Sequence, residues 1–439
     1  MRRHRKPPRV GLALAGGGRT AAAQRSPKGS PDERSAASGA GSRIGLALAG
    51  GGPLGAIYEI GALCAFDEAL VGVDFNALHA YVGVSAGGFI AAGLANGISP
   101  RQLCASFIEN DGADDDMFEP SLLVRPAWRE YGHRIAALPV LVAQALVQFA
   151  SGRRSLLAAF ERVGRALPTG VFSSAPLEAR LRRVLSTPGR SNDFRSLRRK
   201  LILVATDLDS GASAPFGQPG WDHVPISVAA QASAALPGLF PPVEVDGRHY
   251  VDGALKKTLH ASVLLDEGVD LLLCVNPLVP FDSTHAPHRR VLASGEPRIP
   301  QLVDGGLPVV LSQTFRSLIH SRLELGMKGY AATYPDSDIV LLEPDQRDAE
   351  MFLANTFSLA QRRHLAEHAY QRTRELLRSR RSVLRRQFAR HDIKLDDAVL
   401  DEAHRTLVRR RPRVRSQAAR ALNRLQEVLD DLDYALARA

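Results

Sequence analysis

The sequence predicts an α/β protein with a mostly parallel central sheet that helices cover on both faces. Short apolar runs with the character of strands occur at residues 44–49, 80–84, 201–206, 271–275 and 339–342. Helical patterns separate these runs, and strands that are apolar along their whole length are typical of parallel sheets buried on both faces. A chain of 439 residues, 45% of them hydrophobic, has enough apolar side chains to bury such a core.

Changes in composition divide the chain into three regions. Residues 1–42 start with the basic stretch MRRHRKPPR and end in a segment rich in Ser, Gly and Ala, so we expect a disordered leader. Residues 43–345 carry the strand and helix patterns, with a largely helical insertion at about 120–169. Residues 346–439 are arginine-rich and helical, which adds a C-terminal helical extension to the α/β domain.

The net charge of +10 is carried largely by arginine and is concentrated near both ends. Such a charge suits an anionic partner, although a solvated helical face explains it equally well. Because no aromatic residues or base-reading motifs accompany the charge, we expect no specific nucleic-acid partner. An amphipathic stripe near the C-terminus favours docking on the core over a coiled coil. Its members are Val414, Ala418, Leu422, Leu425, Leu429, Leu432 and Leu436.

Targeting and redox signals favour a cytoplasmic protein, with peripheral association at the inner face of an anionic membrane. Cys64, Cys104 and Cys274 are widely separated in apolar surroundings, which predicts buried thiols in a reducing compartment. No stretch reaches the roughly 18–20 apolar residues of a membrane span, and the nearest, residues 135–150, contains Pro139. The apolar run near the N-terminus is too short for a signal peptide.

The stretch GVSAG predicts a nucleophile at Ser85. It follows a predicted strand and precedes a predicted helix, and a serine at such a turn has its hydroxyl exposed at the sheet edge. The turn is crowded, which explains the small residues Gly83, Ala86 and Gly87. The following helix directs its positive end at the serine, where negative charge would develop.

An alkyl hydroxyl needs a base, and the sequence offers two kinds. Asp252, followed by Gly253 and Ala254, lies in an apolar setting after a hairpin-like stretch, VDGRHYV. Burial would raise its pKa towards that of a useful base, which favours a Ser–Asp dyad. Four histidines lie in no recognisable catalytic context: His79, His223, His249 and His260. His260 keeps a Ser–Asp–His triad open because it follows Asp252 closely.

The stretch GGGPLG, which contains Gly50, Gly51, Gly52 and Gly55, predicts a loop whose backbone amides hold an anion. Two interpretations fit it: an oxyanion hole, or a dinucleotide fingerprint with Asp74 at the ribose-binding distance. The serine elbow favours the oxyanion hole, because a dinucleotide-binding unit has no use for such a serine.

GGGPLG, GVSAG and DGA, in this order, resemble the motifs of the patatin-like phospholipase family. Longer stretches, among them YVGVSAGGFIAAGLANG and ASAALPGLFPPVEVDGRHYVDGAL, are similar to family blocks and extend the resemblance over residues 43–277. The resemblance implies a three-layer α/β/α sandwich and a serine lipid acyl hydrolase, with Ser85 as nucleophile and Asp252 as base. It further implies an oxyanion hole of backbone amides from Gly50–Gly55 and neither metal nor cofactor.

One position departs from the family pattern. Many relatives carry a basic residue immediately before the last glycine of the first motif, where this chain has Leu54.

The acidic run at 111–116 lacks the spacing of a calcium loop, so we expect a solvated loop there. A catalytically silent lipid-binding or scaffold protein stays open as an alternative to the hydrolase, as do the oligomeric state and the head-group and acyl-chain preference.

The glycine motif is nearly duplicated. RVGLALAGGG at residues 9–18 resembles RIGLALAGGG at 43–52, but Ala21 replaces the last glycine and a linker follows where a helix should begin. Two short copies do not make a repeat architecture, so we expect the first to be a disordered stretch that is either a duplicated remnant or an upstream start of translation. Deleting residues 1–42 should leave the rate of ester hydrolysis unchanged, and a large loss would assign the first copy a role.

Overall fold

A computed structural model of the chain describes residues 41–111, 120–128, 167–284, 301–353, 359–408 and single positions between 130 and 140. Several predictions from the sequence lie outside this part of the chain. They are those for the leader with the first glycine run, for most of the insertion, for the acidic run beyond Asp111, and for the C-terminal stripe.

The centre of the fold is an eight-stranded mixed sheet. Its strands are β1 (Ile44–Leu48), β3 (Ala80–Gly83), β4 (Lys200–Asp207), β5 (Ser213–Phe216), β6 (Val243–Val245), β7 (Arg248–Asp252), β8 (Leu271–Val275) and β9 (Asp338–Leu342). The pairing order is β6-β7-β4-β3-β1-β8-β9, with β5 also paired to β4. The central pairs are parallel, and β5, β6 and β7 are antiparallel. The mostly parallel sheet predicted from the sequence is thus confirmed.

Helices flank this sheet and continue beyond its last strand. The described α-helices are α1 (Gly52–Ala69), α2 (Ala86–Ala95), α3 (Pro100–Cys104), α4 (Ala175–Leu185), α5 (Ile226–Ser233), α6 (Ser262–Asp266), α7 (Gly306–Thr333), α8 (Ala349–Leu353), α9 (Leu359–Ser379), α10 (Arg381–Phe388) and α11 (Asp397–Asp401). A separate antiparallel pair joins β2 (Leu70–Val71) to β10 (Lys394–Leu395). No helix within the described residues combines the length and apolar character needed to cross a bilayer.

Side chains of the strands alternate between two cores. In β1, Leu46 and Leu48 belong to one hydrophobic cluster, while Ala47 packs in a second. The first cluster contains side chains of α1, α2, α5 and α9, and the second contains side chains of α6 and α7. Successive residues of a strand point to opposite faces of the sheet, so the two clusters lie on opposite faces. Helices therefore cover the sheet on both sides, as strands that are apolar along their whole length require.

The pairing of β3 and β7 with β4 brings the C-terminal ends of these two strands to the same point of the sheet. Leu203 of β4 pairs with Gly83 and with Phe216 of β5, so β3 and β5 lie on opposite edges of β4. Ala205 pairs with β5 and with Asp252 of β7, so β7 shares its edge with β3. Since β3 runs parallel to β4 and β7 antiparallel, their C-terminal ends approach one another. Ser85 and Asp252 lie just at these ends.

Helix α9 packs closely against α1 through Gly61. A Cβ atom at Gly61 would lie 2.6 Å from the carbonyl oxygen of Ala366 and 2.9 Å from the Cβ of Ala369, so only glycine allows this approach. Leu365 and Phe388 belong to the same hydrophobic cluster as the strands. The helical region after residue 345 therefore shares a core with the sheet, and the predicted domain boundaries stay a prediction.

The predicted thiols behave as expected, whereas some elements carry no clear sequence signal. Cys64, Cys104 and Cys274 are free and buried. The short β5, the pair of β2 and β10, and the 28-residue α7 were not foreseen. Helix α7 mixes polar and apolar residues, and five of its large apolar side chains are exposed, so it lacks a clean amphipathic pattern.

Candidate active site

Ser85 occupies a strained turn between β3 and α2. Its backbone has φ 52° and ψ −123°, outside the regions that a residue with a Cβ normally adopts. Such a turn is the geometry expected of a nucleophile elbow. The serine is 7% exposed, so its hydroxyl lies in a largely desolvated site at the sheet edge.

The glycines around Ser85 allow close backbone contacts. A Cβ at Gly87 would lie 2.5 Å from the carbonyl oxygen of Ala49, and one at Gly83 would lie 2.6 Å from the Cα of Gly88. The amide of Gly87 donates to the carbonyl of Ala49 at 3.1 Å. This bond ties the first turn of α2 to the residue that precedes the glycine loop, which fixes the elbow relative to that loop.

Asp252, at the end of β7, faces the serine. It is buried, its carboxylate accepts a hydrogen bond at 2.8 Å from the amide of Ala254, and the Ser85 hydroxyl approaches it closely enough for hydrogen bonding to lower its pKa. Burial raises the pKa of Asp252 to about 6, and the two hydrogen bonds limit the rise. The group is therefore mostly ionised at neutral pH while remaining basic enough to take a proton.

Gly253 is required beside this aspartate. A Cβ there would lie 2.1 Å from the carbonyl oxygen of Val204 and 3.2 Å from the Cγ1 of Val84, the residue before Ser85. The DGA turn thus packs directly on β4 and on the elbow. This contact explains why a glycine follows Asp252.

The loop Gly50–Gly52 adjoins the serine from β1. A Cβ at Gly50 would lie 3.1 Å from the Cβ of Ser85, and one at Gly51 would lie 2.7 Å from the Cα of Gly55. Gly52 has φ 59°, which favours glycine. Among the described residues, the backbone amides of Gly50 and Gly51 have no hydrogen-bond acceptor. Gly52 is the first residue of α1, and the amides of the first helical turn have no acceptor within their own helix. These donors are available to an anion beside Ser85.

Ser233, at the end of α5, is a part of the site that sequence analysis missed. Its buried hydroxyl accepts a hydrogen bond from the amide of Ser85 at 2.9 Å and donates to the carbonyl of Val204 at 2.6 Å. It thereby holds the strained backbone of Ser85 to β4. The signal in the sequence was a serine within the small-residue stretch QASAALPG that leads to the DGA hairpin.

Within the described residues, the hydrogen bonds of His260 and His223 go to groups other than Ser85 and Asp252. The His260 ring is buried, and its Nε2 lies 3.2 Å from the carbonyl oxygen of Gly253. Burial lowers the pKa of His260 to about 4. Its contacts within the described residues include neither Ser85 nor Asp252. His223 pairs with Asp246 at the exposed hairpin between β6 and β7.

Asp74, the candidate ribose ligand, instead stabilises a turn by accepting a hydrogen bond from the amide of Asn76. Within the described part of the chain, His, Cys, Asp and Glu side chains form no group of three or more able to hold a metal ion.

Leu54 lines a narrow cleft beside the glycine loop. The cleft has a volume of about 20 Å³, enough for little more than a water molecule, and Arg316 of α7 lines it as well. The guanidinium donates to the carbonyl of Val279 at 3.2 Å and lies 5.3 Å from the centre of the Phe352 ring. Burial lowers the pKa of Arg316 to about 10, so the side chain stays charged at neutral pH.

Comparison with known proteins identifies the family. The family model "Patatin-like phospholipase" matches residues 46–265, half of the chain, and this range contains the glycine loop, the elbow and the DGA turn. The chain belongs to the patatin-like phospholipase family. The matched range therefore carries the domain of a lipid acyl hydrolase family.

Among solved structures, this patatin-like phospholipase is similar to VipD from Legionella pneumophila, at 17% identity and a TM-score of 0.29 over 75% of this chain and 68% of that chain. It is also similar to the type III effector protein ExoU, at 17% identity and a TM-score of 0.30 over 77% of this chain and 53% of that chain. The ExoU–SpcU complex of Pseudomonas aeruginosa gives 18% identity, a TM-score of 0.28, and coverage of 77% and 52%. The chain thus spans about half the length of the ExoU chains.

Replacing Gly50 by alanine in this patatin-like phospholipase should slow hydrolysis. The new Cβ would lie 3.1 Å from the Ser85 Cβ and 3.3 Å from the Ala254 Cβ, so nucleophile and loop must move apart by a few tenths of an ångström. We expect kcat to fall about tenfold or more, because small misplacements of reacting groups are costly. Steady-state kinetics on a nitrophenyl ester measure it, and an unchanged kcat would contradict the packing described here.

Replacing Ser233 by alanine should lower both activity and stability. The change leaves the Ser85 amide and the Val204 carbonyl without their partner, which costs about 1–3 kcal/mol for buried groups. We expect kcat to fall about tenfold with little change in KM, since the hydroxyl is fully buried and bonds only the backbone of Ser85 and Val204 among the described residues. Ser233→Thr keeps a hydroxyl and should recover part of the loss. Equal kcat in wild type and Ser233→Ala would show that this bond does not position Ser85.

Proposed function

We propose that the protein cleaves fatty-acyl esters of phospholipids and related lipids through a Ser85–Asp252 dyad, with the oxyanion held by backbone amides of the loop Gly50–Gly55. The observation that carries this proposal is the approach of the Ser85 hydroxyl to the buried Asp252 carboxylate, beside loop amides that have no acceptor among the described residues. Base, nucleophile and anion donors thus meet at one end of the parallel strands.

In the first half of the proposed reaction, Asp252 takes the Ser85 proton as the hydroxyl oxygen attacks the ester carbonyl carbon. The carbonyl π electrons move onto the oxygen, and the amides of the glycine loop stabilise that oxyanion. The oxyanion collapses, the carbon–oxygen bond to the lipid alcohol breaks, and the alcohol leaves with the proton held by Asp252. The fatty acyl group then remains on Ser85 as an ester.

In the second half, Asp252 takes a proton from water as the water oxygen attacks the acyl carbon. The same amides stabilise the second oxyanion, and its collapse releases the fatty acid while Ser85 regains the proton. A pKa of about 6 suits both halves, because the carboxylate is ionised at neutral pH and its conjugate acid can return the proton.

The other candidate functions have less support in the structure. A triad needs an imidazole between Asp252 and Ser85, whereas these two side chains approach each other and the His260 ring lies 3.2 Å from the Gly253 carbonyl oxygen. A silent lipid-binding protein would have no need for a strained serine beside a base. The basic charge of the chain supports work at an anionic membrane surface, which we include in the proposal.

Hydrolysis of a substrate panel tests the proposal. The panel contains phosphatidylcholine and phosphatidylglycerol vesicles, a lysophospholipid, a triglyceride and a nitrophenyl ester, and fatty-acid release is measured. We expect release from the lipids by wild type, with faster turnover on the anionic vesicles at low salt. His260→Asn should retain activity within about tenfold, since asparagine tolerates the positive φ of 46° at this position. No release from any ester would favour the silent protein, and a 1,000-fold loss in His260→Asn would favour the triad.

A further inference from the structure

A cavity of about 270 Å³ lies behind the DGA turn, outside the site around Ser85. One wall is the segment Lys257–His260, which follows the turn directly, and the other is a face of α7 that includes Arg322 and Gly326. The cavity exists in part because Gly326 and Gly329 carry no side chains; a Cβ at Gly329 would have no atom within 4 Å.

The charges at this cavity are positive. Lys257 and Arg322 both line it, and neither has a carboxylate partner among the described residues. In the described part of the chain, Lys257 donates a hydrogen bond to the Ser262 hydroxyl at 3.4 Å, and Arg322 donates one N–H group to the Leu255 carbonyl at 2.8 Å. No acidic side chain of the described residues lines the cavity. The unpaired charges would therefore attract an anion.

The rest of the lining is largely apolar. Leu259 and Leu323 are buried side chains of the adjoining core, and the Tyr330 ring lies beside Gly326. The hydroxyl of Tyr334 is engaged by Asp266 at 2.6 Å, so this tyrosine presents its ring to the cavity. A small inorganic anion would leave this apolar surface uncovered, whereas a hydrocarbon chain would bury it.

We propose that this cavity binds a single-chain amphiphilic anion, a carboxylate or phosphate monoester with its head group near Lys257 and Arg322 and its chain against Leu323 and Tyr330. The carboxylate would come from a free fatty acid, and the phosphate from a lipid such as a lysophosphatidate. Binding at this site does not depend on the proposed hydrolysis. Only the idea that the bound fatty acid is a product of this protein rests on the proposed function.

The position of the cavity connects it to the active site through one residue. His260 lines the cavity, and its ring also bonds the carbonyl of Gly253 in the DGA turn. Its backbone is held at φ 46°. A ligand in the cavity thus contacts the segment that supports Asp252.

Calorimetric titration of the full-length protein tests the proposal with four probes: decanoate, decyl phosphate, decanol and inorganic phosphate. We expect saturable binding at one site for decanoate or decyl phosphate and at least tenfold weaker binding for the two half-ligands. The tighter of the two amphiphiles indicates whether a fatty acid or a lipid phosphate is the preferred class. Binding should be the same in Ser85→Ala, because the site lies apart from the nucleophile.

Two variants at the cavity and one matched control complete the test. Gly326→Leu fills the space and should abolish binding, and Lys257→Gln should weaken it about threefold to fivefold through loss of one exposed charge. Lys328→Gln removes the same charge from α7 outside the cavity and should bind as wild type does. Undiminished binding in both cavity variants, decanol binding as tight as decanoate, or no saturable binding would overturn the proposal. Ester hydrolysis is assayed separately, so its failure would count only against the proposed function.

Discussion

Ser85→Ala is expected to lower the rate of fatty-acid release from phospholipid vesicles by about 10,000-fold or more. In the proposed mechanism this variant lacks the oxygen that forms the acyl-enzyme ester, while the glycine loop and Asp252 remain and should leave only the small residual rate that an oxyanion hole supplies. The rate is measured by fatty-acid release at saturating lipid, with wild type assayed in parallel.

The stability of the same variant serves as its control. Alanine at φ 52° stores strain similar to that of serine, so the thermal midpoint should shift by only a few degrees. A loss of activity without a loss of folding then reports the chemistry of the hydroxyl. If Ser85→Ala kept more than a tenth of the wild-type rate, another residue would have to be the nucleophile.

Asp252→Asn is expected to lower kcat about 1,000-fold, because an amide of nearly the same shape cannot take a proton from Ser85. The dependence of the wild-type kcat/KM on pH should show the titration of Asp252. Burial raises the pKa of Asp252 to about 6, and the active form is the ionised one. The value of kcat/KM should therefore be constant above about pH 7, reach half its plateau near pH 6, and fall tenfold per unit below that.

Asp246→Asn is the matched control for this prediction. Asp246 lies on the same hairpin as Asp252, its side chain is 67% exposed, and asparagine suits its φ of 51°. It should show the wild-type rate and profile. A wild-type profile that stays flat down to pH 4.5, or an Asp252→Asn variant within tenfold of wild type, would contradict the assignment of the base.

The sequence predicted those features of the fold that depend on local pattern. The five apolar runs became β1, β3, β4, β8 and β9 because a strand buried on both faces must be apolar along its length. The elbow was recognisable because Ser85 needs small neighbours in a crowded turn, and close contacts at Gly83 and Gly87 account for them. Gly253 was recognisable only as part of a motif, since its contact with Val204 joins residues distant in sequence.

Features that arise from tertiary contacts could not be predicted in this way. The role of Ser233 depends on α5 ending beside β4, and the small-residue stretch around this serine does not by itself show that it contacts Ser85. Glu59 is a second example. This residue of α1 is fully buried, and burial raises its pKa well above the ordinary value. Nothing in the sequence around it indicates that this glutamate is buried. The meeting of β3 and β7 on one edge of β4 follows only from the pairing register.

Covalent labelling with an alkyl fluorophosphonate, read by mass spectrometry of the digested protein, tests the central claim most directly. The reagent reacts with a serine that a neighbouring base has activated, and its phosphoryl oxygen occupies the place of the oxyanion. We expect one phosphonyl group per chain, located on Ser85, much slower labelling of Asp252→Asn, and none of Ser85→Ala. Labelling of another serine at the wild-type rate, or no labelling of folded wild-type protein, would contradict the account of a Ser85–Asp252 acyl hydrolase.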